Sequence, residues 1–132
     1  ERLIDADPAR YVRDMMGGRS AGLAPFDPRA LSEYQRGVSQ PGAAHALCED
    51  YRASATIDLE HDRIDREAGR LIDHPLLVLW GAQAKIQAWY DARSIWSGYA
   101  SGPITAASVP SGHYLAEECP SEVLTHFHNF FV

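Results

Sequence analysis

The chain has 132 residues, 45% of them hydrophobic, enough for one ordinary core and short for two full domains. Its formal net charge of -6 and pI near 5.4, with Lys and Arg scattered among acids, exclude a nucleic-acid binder, because phosphate neutralisation needs clustered basic residues. No run approaches the roughly 18 apolar residues of a membrane span, and the N-terminus has no charged-then-apolar signal pattern, so a soluble, cytoplasmic chain with no membrane partner is expected.

The chain opens at Glu1 without an initiator Met and reads as an excerpt of a longer one. Asp7-Pro8 places a capping residue before a proline at the first helical position, and Tyr11, Val12, Met15 and Met16 recur at helical spacing up to Gly17-Gly18, predicting a helix over 8–16. Residues 22–25 read as loop. Asp27-Pro28 repeats the start signal for a helix carrying Leu31 and Tyr34 that stops near Arg36 or Gly37. A third helix is predicted over 41–57, with Ala44, Leu47, Cys48, Tyr51 and Ala55 along one side. Asp58 to Arg70 is charge-dense and predicts a solvated helix that Gly69 ends.

The period then changes. Pro75 to Trp80 is a continuous apolar run closed by Gly81, the pattern of a strand covered on both faces in a parallel sheet. A short helix is expected over 92–100 after Asp91, a second strand over 103–109, and a closing helix over 121–131 capped by Ser121. The fold class is therefore α/β, with a helical segment over 1–70 and a strand-helix-strand-helix repeat of right-handed parallel connectivity over 71–132. Two parallel strands cannot satisfy their outer edges or cover both faces, so further strands are expected from the parent chain or from a second subunit. Cys48 and Cys119 lack metal-ligand spacing and read as small, partly buried thiols.

His113, in Ser111-Gly112-His113-Tyr114-Leu115, follows the second strand, where open α/β sheets place active-site groups. By itself a loop histidine is more often an ordinary polar residue. Asp91 suits a helix N-cap better than a partner acid for that histidine. Asp58, His61, Asp62 and Asp65 share helical spacing that metal ligands would use, but a hydrated charged face explains them better. His126 and His128 flank Phe127 and point in different directions on a helix, so they cannot chelate one ion. No Gly-X-Ser-X-Gly elbow, phosphate loop or dinucleotide fingerprint is present, and no metal or cofactor is implied.

Several runs together carry a family resemblance: His45-Ala-Leu-Cys-Glu-Asp-Tyr-Arg52, Leu76-Leu-Val-Leu-Trp-Gly81 and Ser111-Gly-His-Tyr-Leu-Ala-Glu-Glu-Cys-Pro120, supported by Gly22 to Pro28 and Ala55 to Asp62. The sequence resembles the C-terminal half of the fluoroacetate (haloacetate) dehalogenases of the α/β-hydrolase superfamily. The resemblance implies cap-domain helices over 1–70, a return to the core over 71–132, and a small haloacid substrate. It implies a two-step displacement, in which an aspartate attacks the halogen-bearing carbon and histidine then activates water to hydrolyse the ester. His113 matches that general base, and Tyr51 matches a cap tyrosine that binds the departing halide. The residue pattern around Tyr51 equally suits a ring packed on a helix with its hydroxyl exposed. The nucleophile, the carboxylate-binding arginines, the orienting acid and a His-Trp halide pair precede the matched segment, so the chain alone is expected to be inactive. Arg19 stands where relatives often carry tryptophan, which changes the pocket. The alternatives are a non-catalytic, self-associating fragment and an epoxide or ester hydrolase of the same fold.

Overall fold

Both Asp-Pro pairs start helices by the expected chemistry. The Asp7 side chain accepts from the backbone N–H of Arg10 at 3.0 Å, Asp27 from that of Arg29 at 2.7 Å, and each following proline fills a first-turn position whose N–H has no helical acceptor. In the computed structural model all residues from Glu1 to Val132 are described, and they separate into two units. The first comprises Glu1–Gly18 with Gly22–Gly69, and the second comprises Arg19–Ala21 with Arg70–Val132.

The first unit is helical: α1 (Arg2–Ala6), α2 (Pro8–Gly17), α3 (Pro28–Val38), α4 (Ala43–Ser54) and α5 (Ile57–Glu67). Its buried apolar residues are Ile4, Val12, Phe26, Leu31 and Ala44, and they come from α1, α2, the α2–α3 loop, α3 and α4. Phe26 meets Tyr34 edge-on at 6.4 Å between ring centroids, and the Gln35 amide donates to the Ala9 carbonyl, tying α3 to α2. The helix predicted over 41–57 is α4, and the charged one predicted from Asp58 is α5. α4 begins at Ala43, because Gly42 before it adopts a left-handed φ of 80°, and ends at Ser54, ahead of the Thr56 that precedes α5. The predicted apolar stripe is covered only in part, since Ala44 is buried and Cys48 half-buried while Leu47 and Tyr51 are exposed. α5 buries nothing, as its charge density predicts, and Arg63 on it pairs with Glu60 and Glu67. α1 is an element the sequence reading did not anticipate.

In the second unit, β1 (Leu76–Gly81) and β2 (Ile104–Val109) pair in parallel from Leu76 opposite Ile104 to Gly81 opposite Val109. An isolated parallel bridge between Ile72 and Ala100 continues the alignment. The strands match the predicted ones within a residue, but only Val78, Gly81 and Val109 are buried, and the outer edges of the two-stranded sheet have no partner in the chain. α7 (Ala92–Ser97) packs on both strands and is shorter than predicted, because Gly98 ends it. α6 (Lys85–Trp89) and α8 (Leu115–Glu118) were not expected; neither has a side-chain cap to announce it. α9 (Pro120–Phe131) begins with Cys119 as its N-cap and Pro120 in the first turn, which corrects the assignment of Ser121 as cap. Val109, Cys119 and Val123 form the core of this unit, with Leu79 and Leu115 packed against them. Both cysteines are free thiols.

Candidate active site

The loop after β2 is held to the end of β1 by backbone bonds. Ala82 N–H donates to the Val109 carbonyl at 2.8 Å, and Gln83 N–H donates to the Ser111 carbonyl at 2.9 Å. This approach requires Gly81, where a Cβ would collide with the carbonyl groups of Ser111 and Gly112. The Trp80-Gly81 and Ser111-Gly112-His113 motifs, 30 residues apart in sequence, therefore form one construction at the C-terminal end of the sheet. Ser111 is 1% exposed, whereas the His113 side chain is exposed.

Glu118 organises the turn. One of its carboxylate oxygens accepts from Gly112 N–H at 2.7 Å and the other from Tyr114 N–H at 3.0 Å. Partial burial acts to raise this carboxyl, yet the two backbone N–H groups, a Ser20 hydroxyl bond and the nearby His113 together hold it below the usual glutamate value. Ser20 completes the frame: its Oγ accepts from His113 N–H at 2.6 Å. Ser20 sits at φ 49°, the one non-glycine residue with positive φ, so its backbone is held in a conformation that costs about 1–2 kcal/mol. Gly112 must lack a Cβ for this contact, because one would meet the Ser20 side chain.

Arg19 Nη1 donates to His113 Nε2 at 2.8 Å. A guanidinium has no acceptor, so Nε2 is the acceptor and the imidazole proton resides on Nδ1. The Tyr114 ring stands edge-on to the imidazole at 4.8 Å between centroids.

No protein-family model matches the chain. It is 33% identical over 123 residues to a fluoroacetate dehalogenase from Burkholderia sp, an alignment covering 92% of this chain and 40% of that protein. The solved structure of a Nostoc sp PCC 7120 protein described as an alpha/beta hydrolase matches with a TM-score of 0.91 at 43% identity, over 99% of this chain and 44% of that one. A Pseudomonas aeruginosa protein described as an epoxide hydrolase matches with a TM-score of 0.81 at 35% identity, over 98% of this chain and 43% of that one. The chain has the fold of the C-terminal portion of an α/β-hydrolase. This α/β-hydrolase segment spans 40 to 44% of the length of these relatives, in keeping with a sheet of two strands whose edges are open.

The other residues singled out from the sequence fall as follows. Tyr51 lies on α4 in the first unit, 73% exposed. Asp91 caps α7, accepting from Ser94 N–H at 3.0 Å, which is the capping role rather than a contact to the imidazole. Asp58, His61, Asp62 and Asp65 do not gather. The acidic-histidine group that does, Glu1, His45 and Glu49, has its ligand atoms within 4.8 Å of one another, but it is exposed and already neutralised by Arg52 bonding both glutamates. His126 is half-buried and His128 exposed on α9. Sequence reasoning gave no role to Ser20 or Glu118. Glu118 stood in the quoted motif, whereas Ser20 reaches His113 across 93 positions and carries no local signal.

Proposed function

We propose that this α/β-hydrolase segment belongs to an enzyme that hydrolyses the carbon–halogen bond of haloacetates, with His113 as general base. The observation that carries the reading is the placement of His113 in a loop beyond β2, framed by Ser20 and Glu118, in a chain similar to fluoroacetate dehalogenase. An aspartate contributed by the remainder of the enzyme attacks the carbon, and the C–F bond breaks with its electron pair leaving on fluoride. Water then attacks the resulting ester carbonyl while the imidazole takes its proton, and the imidazolium passes that proton to the alkoxide oxygen as its bond to the acyl carbon breaks, returning the aspartate and releasing glycolate. Residues 1–70 serve as the cap and its return, with the Tyr51 hydroxyl donating to the departing halide. In this reading the chain works in the cytoplasm with a small haloacid as substrate, and its exposed sheet edges are covered by the missing half or by a second copy.

The Pseudomonas aeruginosa relative supports a second reading, epoxide opening through the same aspartate ester. The experiment is to extend the chain to the length of its relatives and measure fluoride release from fluoroacetate beside diol formation from a neutral epoxide, with His113→Ala as control. Fluoride release lost in the variant supports the first reading. Diol formation without fluoride release replaces it with the second. Fluoride release by the 132-residue chain alone would overturn the assignment of the nucleophile to the missing part.

A further inference from the structure

The base proposed for hydrolysis does not have a free lone pair. Nε2 of His113 accepts from Arg19 Nη1 at 2.8 Å, and that lone pair is the one which must receive the proton of the attacking water, since Nδ1 carries the other proton. Arg19 is exposed and has further N–H donors beyond the one it spends on the imidazole. The backbone beneath it is fixed, because Ser20 is locked at φ 49° and bonded to His113 N–H. The exposed Arg19 side chain can turn away from the imidazole without breaking that bond.

We propose that Arg19 is a latch on His113 that an anionic substrate opens, taking the guanidinium as its own carboxylate clamp. This inference rests on the hydrolase reading above. An imidazole nitrogen offers the guanidinium one neutral acceptor, whereas a carboxylate offers two charged oxygens matched to its fork, and charge-assisted bonds of that kind are roughly twice as strong as neutral ones. A carboxylate therefore outcompetes Nε2 and frees the base at the moment the substrate arrives. A neutral epoxide or ester cannot draw Arg19 away, so the latch filters substrate class. The shift in the equilibrium between latched and open imidazole equals the differential affinity of the ligand for the two states.

The test is an NMR titration of the 132-residue chain, with labelled histidine and arginine, at a pH well above the ordinary histidine value. Acetate is the probe and acetamide its neutral isostere. Acetate is expected to move the His113 Nε2 resonance towards that of an unbonded imidazole nitrogen, saturably and together with the Arg19 guanidinium signals, while acetamide leaves both unchanged. Arg19→Ala is expected to show the open Nε2 signal without ligand and to lose the saturable acetate response. Arg19→Lys, which keeps the charge without the fork, should fall between. An equal response to acetamide, or an acetate response that survives in Arg19→Ala, overturns the latch. If acetate opens the latch but the extended enzyme releases no halide, the latch stands and the dehalogenase reading falls; halide release with no acetate response at Arg19 sinks the latch alone.

Discussion

Glu118→Gln tests whether the histidine loop is built as described. The substitution keeps the side chain's shape and removes its charge. At present the two carboxylate oxygens each accept one backbone N–H, from Gly112 and from Tyr114. Glutamine has a single acceptor oxygen, so one of these N–H groups would face an amide NH₂, donor against donor. Gly112 is buried, and water has little access to replace the missing acceptor. Losing one hydrogen bond to a charged acceptor costs about 1.5–3 kcal/mol, so a loss of roughly 2 kcal/mol is expected at neutral pH. The pH dependence carries a sign. The Glu118 carboxyl lies below its ordinary 4.5, so its contribution is fully present above that value and is lost as the pH falls through the lower folded value. Urea unfolding of both proteins should therefore show a gap at neutral pH that closes on acidification below 4.5. Equal midpoints at neutral pH, or a gap that stays constant into acid, would refute this account of the loop.

Three further substitutions probe the same frame. Gly81→Ala drives a methyl into the backbone carbonyls of Ser111 and Gly112, which cannot yield as a side chain would, and should destabilise the chain by about 1–3 kcal/mol on urea unfolding. Ser20→Ala removes the acceptor for His113 N–H while keeping the left-handed strain; Ser20→Gly loses the same bond but relieves about 1–2 kcal/mol of strain, partly offset by about 0.4–1 kcal/mol of added unfolded-chain entropy. The glycine variant is expected to have the higher thermal midpoint, and both should show faster amide exchange at His113. Asp91→Ala removes an N-cap, costing about 1 kcal/mol by thermal unfolding, and should leave turnover of the extended enzyme intact; loss of turnover with the fold preserved would make Asp91 a triad acid after all.

Features written into adjacent residues were legible. The two Asp-Pro starts, the apolar run ending at Gly81 and the Gly-His loop after a second strand each depend on a few neighbours, and each stands within a residue or two of where the sequence places it. The failures have two physical origins. Short helices such as α6 and α8 form without capping side chains, so no local signal marks them, and Pro120 in the first turn shifts the start of α9 away from the better capping residue Ser121. The frame of His113 was hidden for another reason: Ser20 and Arg19 reach it from more than 90 positions away, through a strained loop that no periodicity encodes. The family resemblance marks Arg19 as a departure, but its contact with the imidazole is a fact of three-dimensional packing alone.

The tautomer of His113 links the chemistry of the site to the incompleteness of the sheet. With Nε2 accepting from Arg19, the proton lies on Nδ1, and a general base of this type needs an acceptor there to orient the ring and to stabilise the imidazolium that forms. No carboxylate of this chain bonds to Nδ1. Glu118 is committed to two backbone N–H groups, and Asp91 is committed to capping α7. Recruiting Glu118 would strip the loop of the bonds that place His113, so this carboxylate is excluded by the role it already performs. On the proposed function, the orienting acid is therefore contributed from outside this chain, as are the partners of the open edges of β1 and β2.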